Sequence, residues 1–192
     1  RYVVITSVNR DELSDGGASH FADTVKAVRS RLPDSKIEVL TPDFKGDLDS
    51  LHIVLDSGPD TFNHNVETVP RLYSRVRPQA RYQQSLEVLR EAHDYSPDVL
   101  TKSGLMVGLG EAEEEVFRLL EDLRAHNVGV VTIGQYLQPT RQHLPVEEYV
   151  RPETYEAYRE YGERLGLSAV FAGPFVRSSY MAETVHSEAE AE

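Results

Sequence analysis

Asp98-Val-Leu-Thr-Lys-Ser-Gly-Leu-Met-Val107 reads as a strand, and it ends in Gly108-Leu-Gly110-Glu111. Glu113–His126 follows as a helix, with Val116, Leu119, Leu120 and Leu123 recurring at three- and four-residue spacing on one stripe. Val128–Ile133 is then a second short apolar run. Strand, helix, strand is the unit from which parallel sheets are built, because parallel neighbours need a long crossover between them.

The same alternation extends in both directions. Upstream, Val3, Val4 and Ile5 form a continuous apolar run, expected of a strand buried on both faces. A polar loop, Ser7 to Gly17, precedes a helix from about Ser19 that carries Phe21, Val25, Val28 and Leu32 and stops before Pro33. Ile37–Leu40 is the next strand, and Leu48, Leu51, Val54 and Leu55 mark a short helix ending at Ser57-Gly58. A weak strand, Asp60–Asn63, leads to helices expected over Glu67–Val76, where Pro70 falls early enough to be tolerated, and over Tyr82–His93. Downstream, a long loop, Gln135–Val150, separates the Val128–Ile133 strand from a helix over Pro152–Leu165, and Leu167–Ala172 is the last strand.

Some six strands alternating with helices make a parallel α/β protein, either an open doubly wound sheet or a barrel. The loops favour a barrel. Polar groups follow nearly every strand: Asn9, Arg10 and Asp11; Asp43; Asn63, His64 and Asn65; Glu111; Gln135 and Gln138; Arg177 and Ser179. In a barrel those ends converge on one face, where such folds place their sites. A complete eight-fold barrel needs about 250 residues. The 192 residues here are thus expected to form one partial barrel of the TIM type, with its first βα unit missing. The domain is expected over residues 1–182, with an acidic disordered tail over 183–192. The chain opens on Arg1 with a strand already under way at residue 2, so a trimmed chain is expected.

Charge narrows the partners. The formal net charge is −12, with basic residues that are 16 Arg and only 4 Lys. Phosphate backbones need clustered cations, so nucleic acid is not expected as a partner. No apolar run approaches the ~20 residues of a membrane span and no signal-peptide pattern opens the chain, so a cytoplasmic protein without a membrane partner is expected. There is no cysteine, which excludes disulfides, thiolate metal sites and thiol nucleophiles within these residues.

Individual motifs are weak when read singly. Gly108-Leu-Gly110 lacks the third glycine of a dinucleotide fingerprint, and Glu111, Glu113, Glu114 and Glu115 would repel a phosphate; they suit the positive end of the helix instead. His64, flanked by asparagines, is either a functional group or a loop anchor. Asp11, Glu12 and Asp15 are either acid/base groups or loop caps, with capping favoured. Lys102 lies mid-strand, where a lysine is costly unless it points into a polar cavity; a Schiff-base aldolase-type barrel using Lys102 is therefore an alternative reading.

Several stretches taken together resemble lipoyl synthase, a radical S-adenosylmethionine enzyme. They are Val4-Ile-Thr-Ser-Val-Asn-Arg-Asp-Glu-Leu13 with Asp15-Gly-Gly17, Glu38-Val-Leu-Thr-Pro-Asp-Phe44, and Phe62-Asn-His-Asn65 with Glu67-Thr-Val-Pro-Arg-Leu-Tyr73. Arg75-Val-Arg-Pro78, Thr101-Lys-Ser-Gly-Leu-Met-Val-Gly-Leu-Gly-Glu111, Thr132-Ile-Gly-Gln-Tyr-Leu-Gln-Pro139, His143-Leu-Pro145 and Gly173-Pro-Phe-Val-Arg-Ser-Ser-Tyr180 complete the set.

The resemblance implies a partial barrel of the radical SAM type that works with S-adenosylmethionine and two [4Fe-4S] clusters. It also implies a reaction: insertion of sulfur at C6 and C8 of an octanoyl chain carried on a protein lysine, with the auxiliary cluster as sulfur donor. Its cysteine motifs lie N-terminal to the matched region and are absent here, so the chain alone is expected to be inactive. Ser179 maps to the serine that completes the auxiliary cluster's ligands, with Arg177 in support. For S-adenosylmethionine the resemblance points to Ser7, Asn9, Asp11, Asn65, Lys102 and Gln138. The implied partners are an octanoylated lipoyl carrier domain (2-oxoacid dehydrogenase E2 or glycine cleavage H protein) and an electron donor such as ferredoxin or flavodoxin. A cluster-free module that binds the carrier protein is the non-enzymatic alternative.

Overall fold

The computed structural model describes residues 1–179. Six strands, β1 (Tyr2–Thr6), β2 (Lys36–Leu40), β3 (Thr61–Asn63), β4 (Leu100–Val107), β5 (Val130–Gln135) and β6 (Ala169–Gly173), form one sheet in sequence order. Every pairing is parallel. The crossovers are α1 (Ala18–Arg31), α2 (Leu48–Leu55), α3 (Tyr73–Val76) with α4 (Tyr82–Tyr95), α5 (Glu113–Ala125) and α6 (Pro152–Arg164). This is the partial (βα) barrel expected from the alternation. Among the described residues β1 pairs only with β2 and β6 only with β5, so the two ends of the sheet do not meet. No helix among the described residues is long and apolar enough to cross a membrane. The tail expected over 183–192, and Tyr180 of the last motif, lie outside the described residues.

The main core fills the space between the helices and the convex face. Val25, Leu51, Leu86, Leu89, Leu119, Leu120 and Leu123 meet Ile37, Val39, Phe62, Val131 and Ile133 there. The concave face is divided. Tyr2, Glu38, Thr61, Asn63 and Lys102 make a polar cluster on β1 to β4, while Leu100, Val130, Ala169 and Phe171 make a separate apolar one on β4 to β6.

Two expectations need correction. Val3, Val4 and Ile5 are half-buried rather than buried on both faces, because β1 has a neighbour on one edge only. The helix expected from Glu67 does not begin there. Glu67 has a φ of 67° and makes an isolated bridge to Leu105. Val69, restricted by Pro70, stays extended, and a short 3-10 turn (Pro70–Leu72) precedes α3.

Lys102 is the third departure. Its side chain has no exposure, and its Nζ lies 3.0 and 3.1 Å from the two carboxylate oxygens of Glu38. Glu38 also accepts from Asn63 Nδ2 at 2.8 Å and from the Tyr2 hydroxyl at 3.0 Å. A carbonyl substrate has no approach to this amine, so the geometry gives the Schiff-base reading no support.

Candidate functional site

The strand ends converge on a cavity of about 310 Å³. Its walls are Asn65 and Glu67 after β3, Gly104 to Met106 on β4, Thr132, Gly134, Gln135 and Leu137 on and after β5, and Val176 to Ser178 after β6. Each wall has a local cause. Gly104, Thr132 and Gly134, inward-facing positions on β4 and β5, are small: a Cβ on Gly104 would stand 2.8 Å from both Asn65 Oδ1 and Thr132 Oγ1. On Gly134 it would overlap the carbonyl oxygen of Val176. The turn after β6 thus folds back over β5 because β5 has no side chain in its way. Arg177 holds that turn by donating from Nη1 to Val176 O, at 2.6 Å, and to Pro174 O.

The segment from His64 to Glu67 is fastened at every residue. His64 N–H donates to Lys102 O, Glu67 N–H to Gly104 O, and Met106 N–H to Glu67 O. The Ser103 hydroxyl donates to His64 O at 2.9 Å and accepts from Val66 N–H at 3.3 Å. Arg77 Nη1 donates to Asn65 O at 2.9 Å. Asn65 Nδ2 then donates to Glu67 Oε1 at 3.2 Å, which leaves Asn65 Oδ1 buried without a hydrogen-bond partner among the described residues. Burial pushes the Glu67 carboxyl up from the usual carboxylate range. Two acceptors side by side, one of them unsatisfied, call for a ligand that donates hydrogen bonds.

The sequence-predicted residues do not all come together. Asn65 lines this cavity. Asn9 and Asp11 line a second hollow of about 250 Å³ with Asp43, Lys45, Arg77 and Gln84, where Lys45 Nζ lies 3.4 Å from Asp11. Ser7 is exposed and donates to Val8 O. Gln138 is exposed and donates to His143 O, within the loop after β5. Lys102 sits among the polar side chains of the concave face, paired with Glu38. Ser179 is exposed at the end of the described chain, and Ser178 beside it reaches the cavity wall.

Several motif readings resolve into structural roles. The carboxylate of Glu111 accepts from Gly108 N–H and Leu109 N–H, so the Gly108-Leu-Gly110 turn is already filled by an acid. Asp15 accepts from Gly17 N–H and Ser19 N–H and is held down to about 2 by the hydrogen bonds from Ser19 and Gly17. It is a cap. Gln135, at the end of β5, donates to Tyr136 O and Glu148 O and accepts from Val150 N–H and Tyr155 OH, which pins the long loop. Glu67 is the residue that sequence reasoning missed. An acid two residues past the Asn63-His-Asn65 strand end was the available signal, but it was read into a helix.

His64 is buried and bridges Thr41 O at 2.9 Å and Ser85 Oγ at 3.0 Å, so it anchors the segment. Burial pushes its imidazole down to about 4. The unfolded chain protonates it below about 6.5, so in the window between these values the unfolded state binds more protons. Stability therefore falls as pH drops from about 6.5 to about 4, by up to roughly 3 kcal/mol from this residue. His64→Gln, compared with wild type in urea titrations at pH 7.5 and 4.5, should show a smaller pH dependence. An equal loss in both proteins would remove His64 as its source.

Comparison with known proteins agrees with this architecture. The Radical SAM superfamily model matches residues 1–123. The lipoyl synthase of Rubrobacter xylanophilus is 60% identical over 182 residues, which cover 95% of this chain and 57% of that protein. That of Thermus thermophilus is 54% identical over 190 residues, 98% of this chain and 59% of that protein. The chain thus spans a little over half the length of the lipoyl synthases it matches. Among solved structures, methylornithine synthase superposes with a TM-score of 0.65 over 85% of this chain and 47% of its own, at 16% identity, which speaks to the fold. With six parallel strands in sequence order, polar groups gathered at their C-terminal ends and a family model that matches from Arg1 into α5, the chain belongs to the radical SAM superfamily.

Proposed function

We propose that this chain is the barrel portion of a lipoyl synthase, which inserts two sulfur atoms at C6 and C8 of a protein-bound octanoyl chain. The observation that carries the reading is the 60% identity over 95% of the chain to a curated lipoyl synthase. The cavity supports it with matching chemistry. A nucleoside presents vicinal ribose hydroxyls, and Asn65 Oδ1 with the Glu67 carboxylate offers two acceptors for them in a space of about 310 Å³. S-adenosylmethionine, when bound, supplies the radical that removes hydrogen from the acyl chain. The part of the chain's own residues is to accept the ribose hydroxyls at Asn65 and Glu67, to close the cavity with the turn at Val176–Ser178, and to hold that turn through Arg177.

The iron–sulfur clusters are a different case. These 192 residues contain no cysteine, and among the described residues no cluster of His, Asp and Glu could hold a metal. Thiolate ligation therefore does not come from this sequence, and no step is assigned through the clusters. Ser179 stands as a proposed hydroxyl ligand beside thiolates supplied from elsewhere. An octanoylated carrier domain as substrate partner and a small electron donor belong to the same proposal.

Asn65→Ala should weaken binding of S-adenosylhomocysteine to the full-length protein by about tenfold, the size expected for losing one buried acceptor. Isothermal calorimetry measures it. Unchanged affinity would take the ribose contact away from Asn65. Asn9→Ala, in the second hollow, tests on the same instrument whether that rim also touches the ligand.

A further inference from the structure

The pairing of β3 with β4 contains one extra residue, and it falls at the cavity. Asn63 pairs with Lys102. Glu67, four residues further on, pairs with Leu105, which is only three residues past Lys102. Inserted residues of this kind bend a strand and re-aim a side chain beside a site. Here the insertion leaves two backbone groups facing β4 without a ladder partner, His64 C=O and Val66 N–H. The Ser103 hydroxyl serves both, donating to the first and accepting from the second. Ser103 is itself fully buried, on the convex side of β4, away from the cavity.

We propose that Ser103 is a positioning residue whose hydroxyl sets the bulge between β3 and β4 and so holds Asn65 and Glu67 as a pair of hydroxyl acceptors. The inference rests on the ribose reading of the cavity given above. Asn65 sits between the two groups that Ser103 holds, and Glu67 directly follows the second. Its left-handed backbone, at a φ of 67°, is a conformation a glutamate adopts only when its surroundings impose it. Arg77 fastens Asn65 O from the other side and backbone bonds to β4 hold His64 and Glu67, so the Ser103 hydroxyl is the side-chain contact from β4 inside the bulge. Without the hydroxyl, the two backbone groups would seek each other or water, and the extra residue would be free to shift along the strand.

The test separates placement from mere stability by asking how well the protein recognises ribose hydroxyls. In the full-length wild-type protein, S-adenosylhomocysteine should bind at least about tenfold more tightly than its 2′,3′-dideoxy analogue. Ser103→Ala should reduce that ratio to below about threefold, while Ser103→Thr, which keeps the hydroxyl, should restore it. A ratio that survives in Ser103→Ala overturns this inference alone. A wild-type protein that binds both analogues equally overturns the ribose reading and this inference with it. Should the alanine variant fail to fold, amide exchange in the wild type decides the matter. Ligand should slow exchange of the Val66 N–H, the group bonded to Ser103, by about tenfold or more, and an unchanged rate counts against the proposal.

Discussion

Lys102→Met, with Glu38 left in place, should lower the unfolding free energy by about 3–5 kcal/mol, the cost of leaving one member of a buried ion pair without its partner. For a chain of this size the melting temperature should drop by about 10 °C. The size follows from the surroundings. Both side chains are essentially inaccessible to water, and both carboxylate oxygens of Glu38 face Lys102 Nζ. Asn63 Nδ2 and the Tyr2 hydroxyl donate to the same carboxylate, so they keep some of its charge solvated but do not neutralise it. Combining Lys102→Met with Glu38→Leu should recover much of the loss, because two apolar groups of similar volume need no partner. Recovery should stop short of wild type by about 1–2 kcal/mol, since Asn63 and Tyr2 then lose an acceptor. Calorimetry on the three variants checks this. A single variant within 1 °C of wild type would mean that the pair contributes nothing.

Gly134→Ala should weaken ligand binding as well as stability. A methyl group there would overlap the Val176 carbonyl and crowd Arg177 Nη1 at 3.2 Å. The β5 backbone at this position is fixed by pairing on both sides, with Met106 and with Gly173. The turn at Pro174–Ser178 must therefore give way, and it forms one wall of the cavity. Overpacking of this kind costs about 1–3 kcal/mol of stability. The loss in affinity for S-adenosylhomocysteine should be about tenfold or greater, because the wall moves as a unit. Gly173→Ala is the control. Its nearest neighbour, Val176 Cγ2, would be in ordinary contact at 3.5 Å, so its backbone position tolerates a methyl. If both variants bind as wild type does, the turn is not part of the binding site.

The fold was legible because parallel sheets write themselves as apolar runs: Ile37–Leu40 and Val128–Ile133 could hardly be anything but strands between amphipathic helices. The site was legible only in part. Asn65, on the cavity wall, was reached through the polar groups that follow β3, whereas Asn9 and Asp11, reached through those that follow β1, line the second hollow instead. Glu67 was not, because its place depends on a backbone irregularity set from another strand, 36 residues away at Ser103. Nor was the partner of Lys102, although a trace of it existed. An acid in the middle of Ile37-Glu-Val-Leu40 and a base in the middle of β4 are each costly alone, and together they suggest a pair. Separation in sequence hides such pairs, since periodicity reports which face a residue takes and not what it meets there.

The lengths of the strands have a mechanical consequence. β1 and β2 pair along five residues, β4 and β5 along six, and β5 and β6 along five, but β3 contributes three to either side. The sheet is therefore two stiff panels joined along a narrow seam, and the His64–Glu67 segment is that seam's continuation to the cavity. A ligand touching Asn65 on the seam and Thr132 on the second panel would act as a rivet across it. Its binding would register in the exchange rates of the β3 amides more than in those of β5, and the seam would be the line along which the empty molecule breathes.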